Sequence, residues 1–169
     1  MSRPQTNEAA AYYFTYIERV SDGEIVGVME RQLDEVTRVC RGISEEKSLH
    51  RYAPEKWSIR EVLNHISDTE RAFAFRALWF GRGFTEPLAS FDQDVSVAGA
   101  RANDYSWASH IEDFDSVRRS TLNLFRNLPG DGWKRSGVAS GNAVTVNALA
   151  YIIAGHCAHH LAILSERYL

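Results

Sequence analysis

Helical periodicity is the feature that most constrains the fold of this chain. Four segments carry apolar residues at three- and four-residue spacing, and no segment of comparable length alternates as a strand does. The predicted helices span residues 21–42, 58–81, 106–128 and 145–168. Short strands between the third and fourth helices are compatible with this pattern. Four amphipathic helices predict an all-α four-helix bundle, and we expect one domain over residues 1–169.

Two of these helices begin with the spacing of a capping box, in which a serine and a glutamate three residues later satisfy helix-end N–H groups. Ser58 and Glu61 form the clearer pair, and Ser21 and Glu24 repeat it at the first helix. The sequence therefore predicts helix starts at Ser58 and Ser21, and Gly42 is expected to end the first helix.

The connections between the predicted helices are long. About 15, 25 and 16 residues join successive helices, against the few residues usual in bundles. Such lengths predict crossovers over the bundle ends or a functional rim. The aromatic run at residues 12–17 is expected to pack against the bundle as an extra turn or short helix.

Composition excludes several classes of partner and compartment. The 169 residues include 19 basic and 22 acidic side chains, so the net charge of −3 gives no positive field for nucleic acid. The two cysteines, Cys40 and Cys157, are too few for a disulfide scaffold. The N-terminal residues do not resemble a signal peptide, and no uninterrupted apolar run approaches the ~18 residues of a membrane span. We expect a cytoplasmic protein with no membrane partner.

The fourth predicted helix carries a histidine pair in its apolar stripe. His156 and His160 lie near the centre of the stripe, whereas His159 and Cys157 lie at its two edges. Spacing of four residues stacks two imidazoles one turn apart, so both can bind one ion. The alternative interpretation is a pair of core histidines bonded to backbone or water, and spacing alone leaves both open.

A third ligand must come from another helix, and His65 on the second helix is the natural candidate. It lies on the flank of its apolar stripe, so periodicity supports it only weakly, and a flanking histidine is more often solvated. Three protein nitrogens around one ion leave a coordination position open for water or substrate. That arrangement is typical of a catalytic site.

Two acidic residues near His65 are further candidates. Glu70 lies close to the centre of the apolar stripe, where a carboxylate needs a partner. It is interpreted either as a general base near the ion or as half of a salt bridge to Arg76 or Arg167. Asp68 is a candidate to orient His65 or to bind the ion, the alternative being a solvated side chain.

The segments at residues 56–66 and 155–168, with looser matches at 87–88 and 91–94, resemble the DinB-like superfamily, also called the YfiT-like metal-dependent hydrolases. The Trp57-Ser58 helix start and the terminal histidines carry the resemblance most specifically. The resemblance implies a bundle with up-down-down-up topology and long crossover loops, and a homodimer. It also implies a divalent ion held by His65, His156 and His160. Members of known activity are transferases or isomerases that use a low-molecular-weight thiol.

The resulting functional prediction is a metal-dependent enzyme that acts on a small molecule. A zinc or nickel ion is expected to activate a water or thiol at its open position, as in a thiol-dependent S-transferase or a hydrolase. Glu70, Asp92 or Asp94 is expected to move the proton, with His159 and Asp68 close to the site. The alternative is a non-catalytic module in which a metal stabilises or switches an interaction.

Overall fold

The computed structural model describes all 169 residues, as six α-helices and one β-hairpin. In chain order these are α1 (Phe14–Ile17), α2 (Ile25–Arg41), α3 (Ile59–Gly81), α4 (Gln93–Ala100), α5 (Trp107–Arg126), β1 (Ser136–Ala139), β2 (Asn142–Thr145) and α6 (Val146–Ile163). A π-helical turn, Leu164–Tyr168, extends α6. The long helices α2, α3, α5 and α6 are the four that the periodicity predicts.

Contacts between helix ends show which neighbours are antiparallel. Trp107, at the start of α5, donates its indole N–H to the carbonyl of Cys40 at the end of α2 (2.9 Å). Tyr168, after α6, donates its hydroxyl to the carbonyl of Trp57 just before α3 (2.7 Å). Thus α2 runs antiparallel to α5, and α3 runs antiparallel to α6.

The remaining neighbours are parallel. Arg60, at the start of α3, donates to the carbonyl of Tyr105 just before α5 (2.5 Å), so α3 and α5 run the same way. Both α2 and α3 pack against α5 and α6, whereas the consecutive pairs α2–α3 and α5–α6 lie across the diagonals. The bundle therefore has the up-down-down-up topology, and its long connections cross over the bundle ends.

The predicted capping box at the start of α3 is confirmed. The Ser58 hydroxyl accepts from the Glu61 N–H (3.2 Å), and the Glu61 carboxylate accepts from the Ser58 N–H (2.7 Å). At α6, the Thr145 hydroxyl accepts from the Ala148 N–H (3.0 Å). These caps satisfy orphan N–H groups at both helix starts and so fix where the histidine-bearing helices begin.

The predicted start of the first helix at Ser21 is wrong, because α2 begins at Ile25. Glu24 is the N-cap residue itself, and its carboxylate accepts from the N–H groups of Val26 (2.9 Å) and Gly27 (3.1 Å). A glutamate that already satisfies two helix-end donors needs no serine partner. The helix ends at Arg41, as its following glycine predicts.

The aromatic N-terminal run forms a short helix, as expected, and α1 packs against α6. The contact is close because Gly155 has no side chain: a Cβ atom built there would lie 2.1 Å from the carbonyl oxygen of Tyr16. The approach brings the Tyr16 ring against His156, with the two ring centroids 5.4 Å apart.

The hairpin holds the connection between α3 and α4. The Leu88 N–H donates to Val138 (2.9 Å), and the Ser140 N–H donates to the Leu88 carbonyl (3.1 Å). Ser140 adopts a left-handed conformation with φ of 53° at the hairpin turn. This arrangement places the hairpin beside the C-terminal part of α3, where Ser140 contacts Arg76 and Gly137 lies against Phe80.

The helix α6 is the core of the bundle. By length and mean hydropathy the segment Val146–Tyr168 would suffice to cross a membrane, although its apolar run is interrupted. In the structure 67% of its most apolar window is buried by the other helices. Its apolar composition is thus accounted for by its place in the core of the bundle.

Candidate metal centre

Three histidines from two antiparallel helices meet inside the bundle. The Nε2 atom of His156 lies 3.0 Å from Nε2 of His65 and 3.1 Å from Nε2 of His160. One ring nitrogen from each of the three residues lies within 4.8 Å of the others. We call these three residues the histidine cluster.

The antiparallel packing of α3 and α6 brings the cluster together across 91 residues of sequence. His65 is 2% exposed, so the flanking position on its own helix does not leave it solvated. It is buried because its side of α3 faces α6 and because the Trp57 ring packs against it, with centroids 4.8 Å apart.

Burial keeps the cluster uncharged at neutral pH. Loss of solvation lowers the pKa of His65 to about 4 and that of His160 to about 3. Burial, and then the neighbouring imidazoles, also lower the pKa of His156 well below its ordinary value. Neutral imidazole is the form that binds metal ions, so no proton has to be removed before an ion enters.

The spacing of the cluster fits a divalent ion. Zinc–nitrogen bonds of about 2.0–2.1 Å place nitrogens about 3.3–3.4 Å apart around a tetrahedron and about 2.8–3.0 Å apart around an octahedron. The two observed separations, 3.0 and 3.1 Å, lie between these geometries. These two separations are within a few tenths of an ångström of either arrangement, and the ligand atoms of the third pair, His65 and His160, lie within 4.8 Å of each other.

Thr69 supports the cluster from one turn along α3. Its hydroxyl lies 3.3 Å from Nδ1 of His65, the ring nitrogen that does not face the other histidines. Such a partner fixes the orientation of an imidazole. The sequence prediction missed Thr69 and chose Asp68, whose carboxylate instead pairs with Arg71 (3.0 Å). The signal was the four-residue spacing, which places Thr69 nearer than Asp68 to the side of the helix that His65 occupies.

Glu70 forms a buried salt bridge, but with Arg118 of α5 rather than with Arg76 or Arg167. Both carboxylate oxygens accept from the Arg118 guanidinium at 2.8–3.0 Å. Arg118 is fully buried and also donates to the Gln32 side chain (3.1 Å). Burial, the largest single influence, lowers the pKa of Arg118, but the charges and hydrogen bonds of Glu70 and Cys157 together outweigh it and raise the pKa. The predicted general base is thus held in an ion pair, and a catalytic role for Glu70 stays a prediction.

His159 lies beside the cluster. Its ring centroid is 5.0 Å from that of His160 and 5.5 Å from that of Tyr16. Its Nδ1 atom is buried and has no hydrogen-bond partner in the chain. The structure therefore places His159 beside the histidine cluster, and a role for it in the site stays a prediction.

The two acidic residues predicted in the connection between α3 and α5 lie at the start of α4. Asp92 is the N-cap of α4, and its carboxylate accepts from the N–H groups of Asp94 (2.9 Å) and Val95 (3.1 Å). Asp94 is exposed in the first turn. The neighbours Phe91 and Gln93, which the sequence did not single out, face the site instead. The proton-transfer role predicted for Asp92 and Asp94 has no support in these contacts.

A cavity of about 180 Å³ opens beside the cluster, with His65 and His156 in its wall. Aromatic side chains from α1 and the turn before it, from α3 and from the α3–α4 connection form much of the remaining wall; they include Tyr12, Tyr13, Tyr16, Phe73 and Phe91. Ligand pockets for drug-sized molecules have about 300–1,000 Å³. The cavity therefore suits a smaller molecule.

Comparisons with known proteins agree with this description. The sequence profile of the DinB superfamily matches residues 29–164. Among solved structures, the fold is similar to YfiT from Bacillus subtilis, with a TM-score of 0.75 and 14% identity over 98% of this chain and 90% of that chain. YfiT is described as a probable metal-dependent hydrolase with an unusual four-helix bundle topology. A search of curated proteins gave no match. At 14% identity the likeness to YfiT concerns the fold.

Proposed function

The chain belongs to the DinB superfamily, and from this membership and the histidine cluster we propose that it is a metal-dependent enzyme acting on a small molecule. His65, His156 and His160 bind one divalent ion, zinc or nickel. The observation that carries the proposal is the meeting of three neutral imidazoles at Nε2 separations of 3.0 and 3.1 Å. The reaction is transfer to or from a low-molecular-weight thiol, or hydrolysis.

The donor set suits catalysis more than a purely structural role. When bound, a divalent ion lowers the pKa of a water or thiol at its open position and polarises an electrophile nearby. Three neutral ligands leave the ion its full charge, unlike the thiolates of many structural zinc sites. The cavity beside His65 and His156 gives a small molecule access to this point.

The surrounding side chains hold and shield the site. Thr69 orients His65, and the Trp57 ring covers it. Burial is the main cause that raises the pKa of Tyr16, so its hydroxyl stays protonated and acts as a hydrogen-bond donor rather than a base. His159 packs against the rings of Tyr16 and His160, with centroids 5.5 and 5.0 Å apart, and its buried Nδ1 has no partner in the chain.

Metal content tests the proposal directly. The purified wild-type chain is expected to carry one divalent ion per cluster, and His160→Ala is expected to lose it. His50→Ala, which removes an exposed histidine, is the matched control and should retain the ion. An unchanged metal stoichiometry in His160→Ala would remove the central claim.

The non-catalytic alternative makes a different prediction for cobalt-substituted protein. An enzyme that uses the open position should change its cobalt absorption when a small thiol such as 2-mercaptoethanol is added. A metal-stabilised module should unfold on chelation and show no such change with any thiol or anion. The cavity next to the cluster favours the enzyme.

Two further expectations belong to the proposal. Family resemblance implies a homodimer, and the exposed apolar side chains Phe75 and Leu78 on α3 are compatible with one. The two free cysteines, both buried, are compatible with the reducing conditions of the cytoplasm.

A further inference from the structure

Arg76 is a buried cation without an anionic partner. Only 5% of its surface is exposed, which is as low as for many apolar residues of the core. The two other buried arginines each pair with a glutamate, Arg60 with Glu45 and Arg118 with Glu70. Arg76 has no carboxylate within 4.0 Å, although burying an uncompensated charge is costly. An anion from outside the chain would remove this cost.

The guanidinium of Arg76 is held in place but has donors to spare. Its Nη2 atom donates to the carbonyl of Ala89 (2.9 Å) and to the hydroxyl of Ser140 (3.0 Å). A guanidinium has five N–H donors, and the three on Nε and Nη1 find no acceptor in the chain. The group is therefore oriented by the protein and left free to bind a ligand.

Arg76 and the histidine cluster share one cavity. Both Arg76 and His65 line it, and they lie eleven residues apart on the same side of α3, about 16 Å along the axis. Helical side chains lean towards the N-terminus, which brings the guanidinium closer to His65. The Arg76 side chain points towards the N-terminus of α3, since its Cζ atom lies 5.4 Å from the centre of the Phe73 ring. The cavity thus has a cationic end and a histidine end joined by an aromatic wall.

The hairpin turn is built to hold this arginine. Ser140 adopts a φ of 53°, a conformation that costs energy for any residue but glycine. In that conformation its N–H donates to the Leu88 carbonyl (3.1 Å) and its hydroxyl accepts from Arg76. The two-residue turn itself requires positive φ at both Ser140 and Gly141 (74°), and it carries the Ser140 hydroxyl to the Arg76 guanidinium.

We propose that the cavity binds small carboxylates, with the carboxylate accepting hydrogen bonds from Arg76 and the remainder of the molecule lying along Phe73 towards the histidine cluster. The inference rests on the proposed function and adds the substrate class: the substrate, or its thiol partner, is a small carboxylic acid. The cavity of about 180 Å³ limits the molecule to a short chain. Arg76 acts here as a binding residue that fixes the end remote from the reaction.

Matched acids and amides test the proposal without knowledge of the natural substrate. Unbranched carboxylates from butyrate to heptanoate and their primary amides are titrated calorimetrically into metal-loaded and metal-free protein. At one chain length or more, the acid should bind at least about tenfold more tightly than the amide of equal length, because a charged hydrogen bond is lost in the amide. The metal-free arm isolates Arg76 from the ion.

Variants assign the preference to Arg76. Arg76→Gln should bind acid and amide equally, and Arg76→Lys should keep part of the preference because it keeps the charge. Arg82→Gln removes an exposed charge nearby on the chain and should leave the preference unchanged. Thermal unfolding of each variant identifies any that fail to fold. The comparison of acid and amide binding to the wild-type protein does not depend on any variant.

The outcomes separate this inference from the proposed function. Wild-type affinities for acid and amide that agree within twofold at every length overturn the carboxylate site, as does a preference that survives in Arg76→Gln. If instead the acid preference holds while His160→Ala keeps its metal, the carboxylate site stands and the metal proposal fails.

Discussion

Replacement of Gly155 by alanine probes the contact that seats α1 beside the histidine cluster. The added Cβ would lie 2.1 Å from the carbonyl oxygen of Tyr16 and 2.4 Å from its carbonyl carbon. Ordinary contact begins near 3.4 Å, so the backbone of α1 must move by about 1.3 Å. Since backbone atoms rather than a flexible side chain oppose the methyl group, a rotamer change of Tyr16 cannot relieve the clash.

Two opposing terms set the size of the effect. Overpacking in a core typically costs about 1–3 kcal/mol. Alanine in a helix interior is favoured over glycine by about 0.5–1 kcal/mol. We therefore expect Gly155→Ala to lower the free energy of unfolding by about 1–2 kcal/mol. For a chain of this size that corresponds to a Tm lower by about 2–8 °C.

Thermal and urea unfolding measure the change, and hydrogen exchange of the α1 amides reports whether this helix has moved. Gly27→Ala in α2 is the control, because a Cβ there meets only the end of the Arg31 side chain at 3.6 Å. It should be neutral or slightly stabilising. If Gly155→Ala stabilises the protein as helix propensity alone predicts, the close seating of α1 on α6 is refuted.

Two further predictions concern buried charge and protonation. Arg118→Met leaves Glu70 buried without a partner and should destabilise the protein by about 3–5 kcal/mol, and adding Glu70→Gln should recover much of this loss; urea unfolding of the single and double variants decides, and a single variant as stable as wild type contradicts it. In metal-free protein the pKa values of His65 (about 4) and His160 (about 3) lie below the unfolded value of about 6.5, so the unfolded chain binds more protons as the pH falls from 6.5 towards 4. Stability should therefore drop over that range, by about 2 kcal/mol for His65 at pH 5, and urea midpoints independent of pH between 7.5 and 5 would contradict this.

The sequence can predict a helix start where the deciding hydrogen bonds join residues within one helical turn. The box formed by Ser58 and Glu61 fixed the start of α3 because both partners lie within one helical turn. The same spacing gave a wrong helix start at Ser21, because Glu24 is itself the N-cap of α2 and needs no serine. A long, flexible carboxylate reaches either its own helix end or a neighbour's N–H, and spacing does not distinguish the two.

The sequence did not predict which residues on different helices would contact each other. The helical wheel placed Glu70 in the core correctly, but its partner depends on which helices are neighbours, and the arginine came from α5. His65 seemed marginal on its own helix because the wheel ignores α6, which buries it. Asp92 looked available for chemistry because α4 was not predicted, and with that helix in place its carboxylate is the N-cap.

The diagonal placement of consecutive helices has a consequence for the route to the native state. The pairs α2–α3 and α5–α6 cannot dock as simple hairpins. The one consecutive pair of long helices in contact, α3 and α5, is parallel and separated by residues 82–106. Every interface between two of the long helices thus closes a long chain loop first, which slows folding relative to a bundle of simple hairpins. The rings of His65 and His156 can meet only after residue 156 has left the ribosome. Until then, the face of α3 that packs on α6 stays exposed in the nascent chain.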